Sequence, residues 1–196
     1  MRHALPLALL AAAAPATAAE IVTLPAFESV RLRGGGELVV RHGPVQRVRL
    51  LEGNSRVSRL AVDRETGRTG RGGGETLVIS ACENRCPRDY KLKVEVTTPK
   101  LAGLSIEGGG AIRVEEDFPQ QQALGLAIAG GGTIHAQAVR AGAVGASIKG
   151  GGLINTHAVN SLGASINGGG AIRYWGNPTR AVNINGGGAV TRGGAR

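Results

Sequence analysis

The stretch SINGGGAI, Ser165–Ile172, sets three consecutive glycines between two isoleucines, and it is one of five near-copies. The others are SIEGGGAI (Ser105–Ile112), AIAGGGTI (Ala127–Ile134), SIKGGGLI (Ser147–Ile154) and NINGGGAV (Asn183–Val190). Their first glycines, Gly108, Gly130, Gly150, Gly168 and Gly186, are separated by 22, 20, 18 and 18 residues. Two residues before each stands an isoleucine: Ile106, Ile128, Ile148, Ile166 and Ile184. Four before stand Leu104, Leu126, Ala146, Ala164 and Val182, and four after stand Ile112, Ile134, Ile154, Ile172 and Val190. All these offsets are even, so the apolar side chains share one face of a strand.

A unit of this length cannot enclose a core alone, whereas stacked units can, with about 4.8 Å from coil to coil. The repeat therefore predicts an all-β, single-stranded right-handed parallel β-helix, a β-solenoid, with regular coils from about 101 to 192. The variable coil length favours the right-handed type. A left-handed β-helix is the alternative, although Asn160 and Pro178 break the six-residue series that runs from Ile148 to Val190. A sandwich with glycine-rich hairpins would not require one apolar register five times over. Within each triplet the first and third glycines share the parity of the isoleucines. Gly108, Gly110, Gly130, Gly132, Gly150, Gly152, Gly168, Gly170, Gly186 and Gly188 are thus expected at corners where stacked backbones leave no room for a β-carbon, with the middle glycine facing out.

The front half reads as alternating strands separated by turn residues, expected to form irregular β layers that cap the N-terminal end. GRTGRGGGET, around Gly72, resembles an exposed hairpin loop. At the other end Arg192 and Arg196 flank an open edge, where charge discourages aggregation or where a homodimer forms. The first residues, MRHALPLALLAAAAPATAA, have the basic start, apolar run and small residues of a secretory signal peptide, 1–19. Residues 20–196 then form a single domain, with no later apolar run long enough for a transmembrane segment. The expected location is the periplasm or the extracellular face. Cys82 and Cys86 fit that compartment as a local disulfide, and a C-x3-C pair without a nearby histidine is no metal site.

The full chain of 196 residues carries a net charge of +9, or +8 once Arg2 is removed, with 19 Arg against 4 Lys. A basic surface suits an acidic glycan or an envelope protein. Export and the scarcity of aromatic residues exclude nucleic acid. No triplet is followed by the Gly-Lys-Ser/Thr of a phosphate loop or by a helix, so no cofactor is expected. From Phe118 onward there is no Asp or Glu, which removes the carboxylates that polysaccharide lyases and hydrolases need. No catalytic residues are assigned. His135 and His157, five and seven residues past their first glycines, read as surface residues. Candidate ligand-binding residues are Arg173, Tyr174, Trp175 and Arg180 in RYWGNPTR, where aromatic faces suit sugar rings and guanidinium groups suit acidic groups.

VEVTTPKLAGLSIEGGGAI (Val94–Ile112), with FESVRLRGGGELVVRHG (Phe27–Gly43) before it and YWGNPTRAVNINGGGAV (Tyr174–Val190) after it, resembles a bacterial family described as "putative autotransporter adhesin, head GIN domain". The resemblance spans Phe27 to Arg192. It implies a single-stranded right-handed β-helix and adhesion, and it supplies no catalytic residues. This chain departs by placing Gly-Gly-Gly where the family commonly has Gly-Ser-Gly, which removes a ladder of hydroxyls. The expected function is that of an exported, non-enzymatic, adhesin-like binding protein of the cell envelope. The alternatives are a polysaccharide-acting enzyme on the same scaffold and a structural partner in a periplasmic complex.

Overall fold

A computed structural model describes residues 19–64, 74–82, 86–115 and 118–194. The signal peptide and most of the Gly72 loop lie outside the described residues. The described chain is all strand and irregular structure, with no helix. In order the strands are β1 (Glu20–Val22), β2 (Ser29–Arg33), β3 (Glu37–His42), β4 (Arg47–Glu52), β5 (Arg59–Arg64), β6 (Glu75–Ser80) and β7 (Lys93–Thr98). The repeats supply β8 (Gly103–Gly108), β9 (Ala111–Val114), β10 (Gln121–Gly130), β11 (Thr133–Gly150), β12 (Leu153–Asn167), β13 (Ala171–Trp175), β14 (Thr179–Asn185) and β15 (Ala189–Arg192).

The repeats wind into a β-solenoid with two parallel stacks that meet at the glycine triplets. The first stack runs β8, β10, the later part of β11, the later part of β12, then β14. The second runs β9, the start of β11, the start of β12, β13, then β15. The register aligns Ile106, Ile128, Ile148, Ile166 and Ile184 in one column of the first stack. Ile112, Ile134, Ile154, Ile172 and Val190 form the matching column of the second. Both columns face inward and are buried until the last coil, where Ile184 is 40% and Val182 46% exposed. Burying each interior isoleucine contributes about 1.5–3 kcal/mol.

The corner carries the stacking. Backbone N–H groups of one coil donate to carbonyls of the previous one, as Gly151 does to Gly130 and Leu153 to Gly132, each at 3.0 Å. A β-carbon on the third glycine would meet the isoleucine of the coil below: Gly170 would reach Cγ2 of Ile148 at 2.7 Å. Around Gly169 there is nothing within 4 Å.

The N-terminal layers depart from a simple cap. β2 and β3 form a coil of the same construction, with Leu32 beside Ile106 and Leu38 beside Ile112. Their corner, Gly34–Gly36, hydrogen-bonds to the next triplet through Gly34 N–H to Glu107 O (3.0 Å) and Ala111 N–H to Gly36 O (2.9 Å). On the other side of this coil lie β6 and β7. Their corner is the longer segment 81–92, anchored by Ala81 N–H to Arg33 O and by Glu37 N–H to Leu92 O. That segment contains the Cys82–Cys86 disulfide. The β2–β3 coil therefore sits between two coils that follow it in the chain. The cap itself is antiparallel: β5 covers β6, β4 covers β7, and β1 covers β4.

One interior position is polar. Thr156 is fully buried in the column Val40, Val114, Ala136, Thr156, Tyr174, and its Oγ1 has no hydrogen-bond partner. A buried hydroxyl without a partner costs about 1–3 kcal/mol. Thr156→Val should accordingly raise stability by about 1 kcal/mol or more in a urea titration, a rare gain for a core substitution.

Candidate functional site

Alternation fixes what the coils display. On the outer face of the second stack, the position five past each first glycine gives the adjacent series Arg113, His135, Asn155, Arg173, Thr191. Seven past come Gln137, His157, Trp175 and Gly193, which line a recess of about 470 Å³ together with Gly176, Arg192 and Gly194. Trp175 is half-buried, and its indole Nε1–H donates to Gly194 O at 3.1 Å. Gly193 lies flat against the indole, where a β-carbon would collide with the ring. These contacts hold the indole in place.

Of the four residues expected to bind a ligand, the structure turns three to the surface. Arg173 and Arg180 are exposed and Trp175 is half-buried. Tyr174 is 4% exposed, inside the solenoid, with the Arg180 guanidinium 5.5 Å from its ring centroid. Arg173 and Trp175 share the outer face, whereas Tyr174 packs in the core. Tyr174 stands two residues after Ile172, so the parity that places the isoleucines inside also places it there. The same rule reveals His135 and Asn155 beside Arg173, a constellation that inspection of RYWGNPTR alone misses.

Asn155 is 7% exposed, and its Nδ2 lies 2.8 Å from Nδ1 of His135. Asn155 Oδ1 and Gln137 Oε1 are buried acceptors without a partner among the described residues. Burial, and then the positive charge of Arg113, lower the His135 pKa from its ordinary value. The native state therefore resists a proton that the unfolded chain accepts. Stability is full above the ordinary histidine range and falls as pH drops through it. With Arg113 and Asn155 flanking the ring, His135→Gln should flatten the decline of melting temperature between about pH 7 and pH 5.

Charge is divided along the axis. In the first coils, cations are paired across strands: Arg33 with Glu107 at 2.7 Å, Arg49 with Glu95 at 3.0 Å, and Lys93 with Glu37 at 3.4 Å. Such half-exposed pairs contribute little stability, but they neutralise that surface. All 14 Asp and Glu precede Phe118, whereas six Lys and Arg follow it: Arg140, Lys149, Arg173, Arg180, Arg192 and Arg196. The C-terminal coils are purely cationic. A larger, more apolar recess of about 830 Å³ lies at the opposite end, lined by Phe27, Val45 and Pro99 among others, and it shares no residue with this face.

Fold and surface define a β-solenoid with glycine corners, whose coils display parallel ladders of side chains on their outer faces. A family model described as "Putative auto-transporter adhesin, head GIN domain" matches residues 26–126 and 120–178, and the chain belongs to this family. Among solved structures, a protein from Bacteroides fragilis described as a putative adhesin aligns with a TM-score of 0.51 at 21% identity, covering 89% of this chain and 96% of that one. A protein from Parabacteroides distasonis described as a putative lipid binding protein aligns at 15% identity and TM-score 0.36, over 90% of this chain and 96% of its own. No curated protein matches. The Bacteroides structure shares the fold. The Cys82–Cys86 disulfide and the adhesin-like family suit a location outside the cytoplasm, at the envelope or surface. Among the described residues no helix is long and apolar enough to cross a membrane.

Proposed function

We propose that the protein is an exported, non-enzymatic, adhesin-like binding protein of the bacterial cell envelope, and that its C-terminal coils engage an anionic partner. The observation that carries this is the division of charge, with every carboxylate before Phe118 and a purely cationic set of coils after it. Family membership supports the adhesin-like part, and the disulfide supports export. Cleavage after residue 19 would release residues 20–196 as one solenoid domain. Electrostatic attraction over such a surface speeds encounter and weakens with salt. The test is a pull-down from native envelope with the purified protein at low and raised salt, with Trp175→Ala alongside. Capture of anionic material that salt releases supports the proposal. Capture that ignores salt defeats it. Chain cleavage of an acidic glycan, followed by viscosity or ultraviolet absorbance, would instead establish the enzyme.

A further inference from the structure

The outer face of the second stack carries more than charge, and the geometry points to a groove for an acidic polysaccharide lying along the solenoid axis. This rests on the anionic-partner proposal above and names the ligand class and the site. Arg113 and Arg173 are both exposed and stand three strands apart, about 14 Å at the spacing of neighbouring strands. One strand spacing is close to the length that a pyranose unit adds to an extended chain. A polymer along the axis therefore meets one side chain of the ladder per sugar, with a guanidinium at each end for a carboxylate.

Between the two arginines the face requires donors. Asn155 Oδ1 and Gln137 Oε1 are buried acceptors left without a partner, and a buried acceptor is costly until a donor reaches it. Sulfate, phosphate and polyphosphate bring oxygens that only accept at neutral pH, so they satisfy the arginines and leave both amides unpaired. A chain of uronic acids brings carboxylates and hydroxyl donors on the same ring. Trp175 borders the groove beside His157 and is held by its bond to Gly194, so it offers an apolar ring edge with little ordering cost on binding. The coils that build this face contain no Asp or Glu to repel the ligand.

The experiment is calorimetric titration of the mature chain with hexagalacturonate. Controls are the fully methyl-esterified oligomer, linear polyphosphate, and vesicles of phosphatidylglycerol. The free oligomer should bind, and the three controls should bind at least about ten-fold more weakly. Arg113→Gln and Arg173→Gln together should lower affinity by at least about ten-fold. Lys149→Gln, on the other stack, should change it by less than about two-fold. Both arginines are exposed, so these variants leave the core intact. Equal binding of polyphosphate or vesicles would replace the polysaccharide with a plain anion or a lipid surface. An equal loss with Lys149→Gln would reduce the groove to diffuse charge. No binding of hexagalacturonate, with salt-sensitive envelope capture retained, would overturn the groove and leave the broader proposal standing.

Discussion

Gly168→Ala is expected to cost about 3 kcal/mol or more, enough to leave much of the chain unfolded, whereas Gly169→Ala should stay within about 1 kcal/mol of the parent. Gly168 has φ of +128°, a backbone conformation that L side chains rarely adopt, and an added β-carbon would lie 2.5 Å from the Gly150 carbonyl oxygen. That oxygen accepts the Gly151-equivalent corner bond of its layer and cannot retreat without opening the stack. Strain and collision therefore act together at the first glycine. At the middle glycine neither acts, since open space surrounds it. Gly170→Ala falls on the severe side as well, because its β-carbon would press on Ile148 and on Gly152 O at 2.8 Å. Urea denaturation of the three variants tests the ranking. Equal losses at Gly168 and Gly169 would show that the corner yields and that close stacking does not explain the triplets.

Ile148→Ala should cost about 2–5 kcal/mol, and Ile184→Ala less than about half as much, although both belong to one column. Ile148 is 1% exposed, between Ile128 and Ile166, and its Cγ2 also fills the space under Gly170. Removing three carbons there leaves a cavity that the coils on both sides cannot close without breaking corner hydrogen bonds. Ile184 lies on the last strand of the stack and is 40% exposed, so water replaces what the truncation removes. A matched pair of melts reads the difference. Similar losses would mean that the terminal coil is covered in solution by something packed on β14.

Much of the architecture was legible in the sequence because one physical rule repeats. Even offsets from Gly108 to Gly186 fix the inward columns, and the observed register places Ile106, Ile128, Ile148, Ile166 and Ile184 side by side as the pattern requires. The first coil was harder to place. Gly34–Gly36 is a corner of the same ladder, but an excursion through β4 and β5 separates it from its neighbours in sequence, so no constant interval betrays it. The disulfide was legible from Cys82 and Cys86, yet nothing in ACENRCPRDY shows that its loop stands where other coils place three glycines. On the surface, RYWGNPTR attracted notice because its aromatic residues are adjacent. Adjacency along a strand sends neighbours to opposite faces, and the residues that gather around Arg173 come from other coils.

The position of the β2–β3 coil bears on how the molecule is made. As synthesis or export proceeds from the N-terminus, this coil appears before either neighbour exists, with both hydrogen-bonding edges open. It gains one neighbour with β6–β7 and the other with β8–β9. The first third of the molecule must therefore close as one cooperative block, at the entropic cost of pairing distant segments. From β10 onward each coil finds a finished template and adds in chain order. A truncation series should reflect this asymmetry in a denaturation experiment. Removing coils from the C-terminus should lower stability in steps, whereas removing β2–β3 should abolish folding at once.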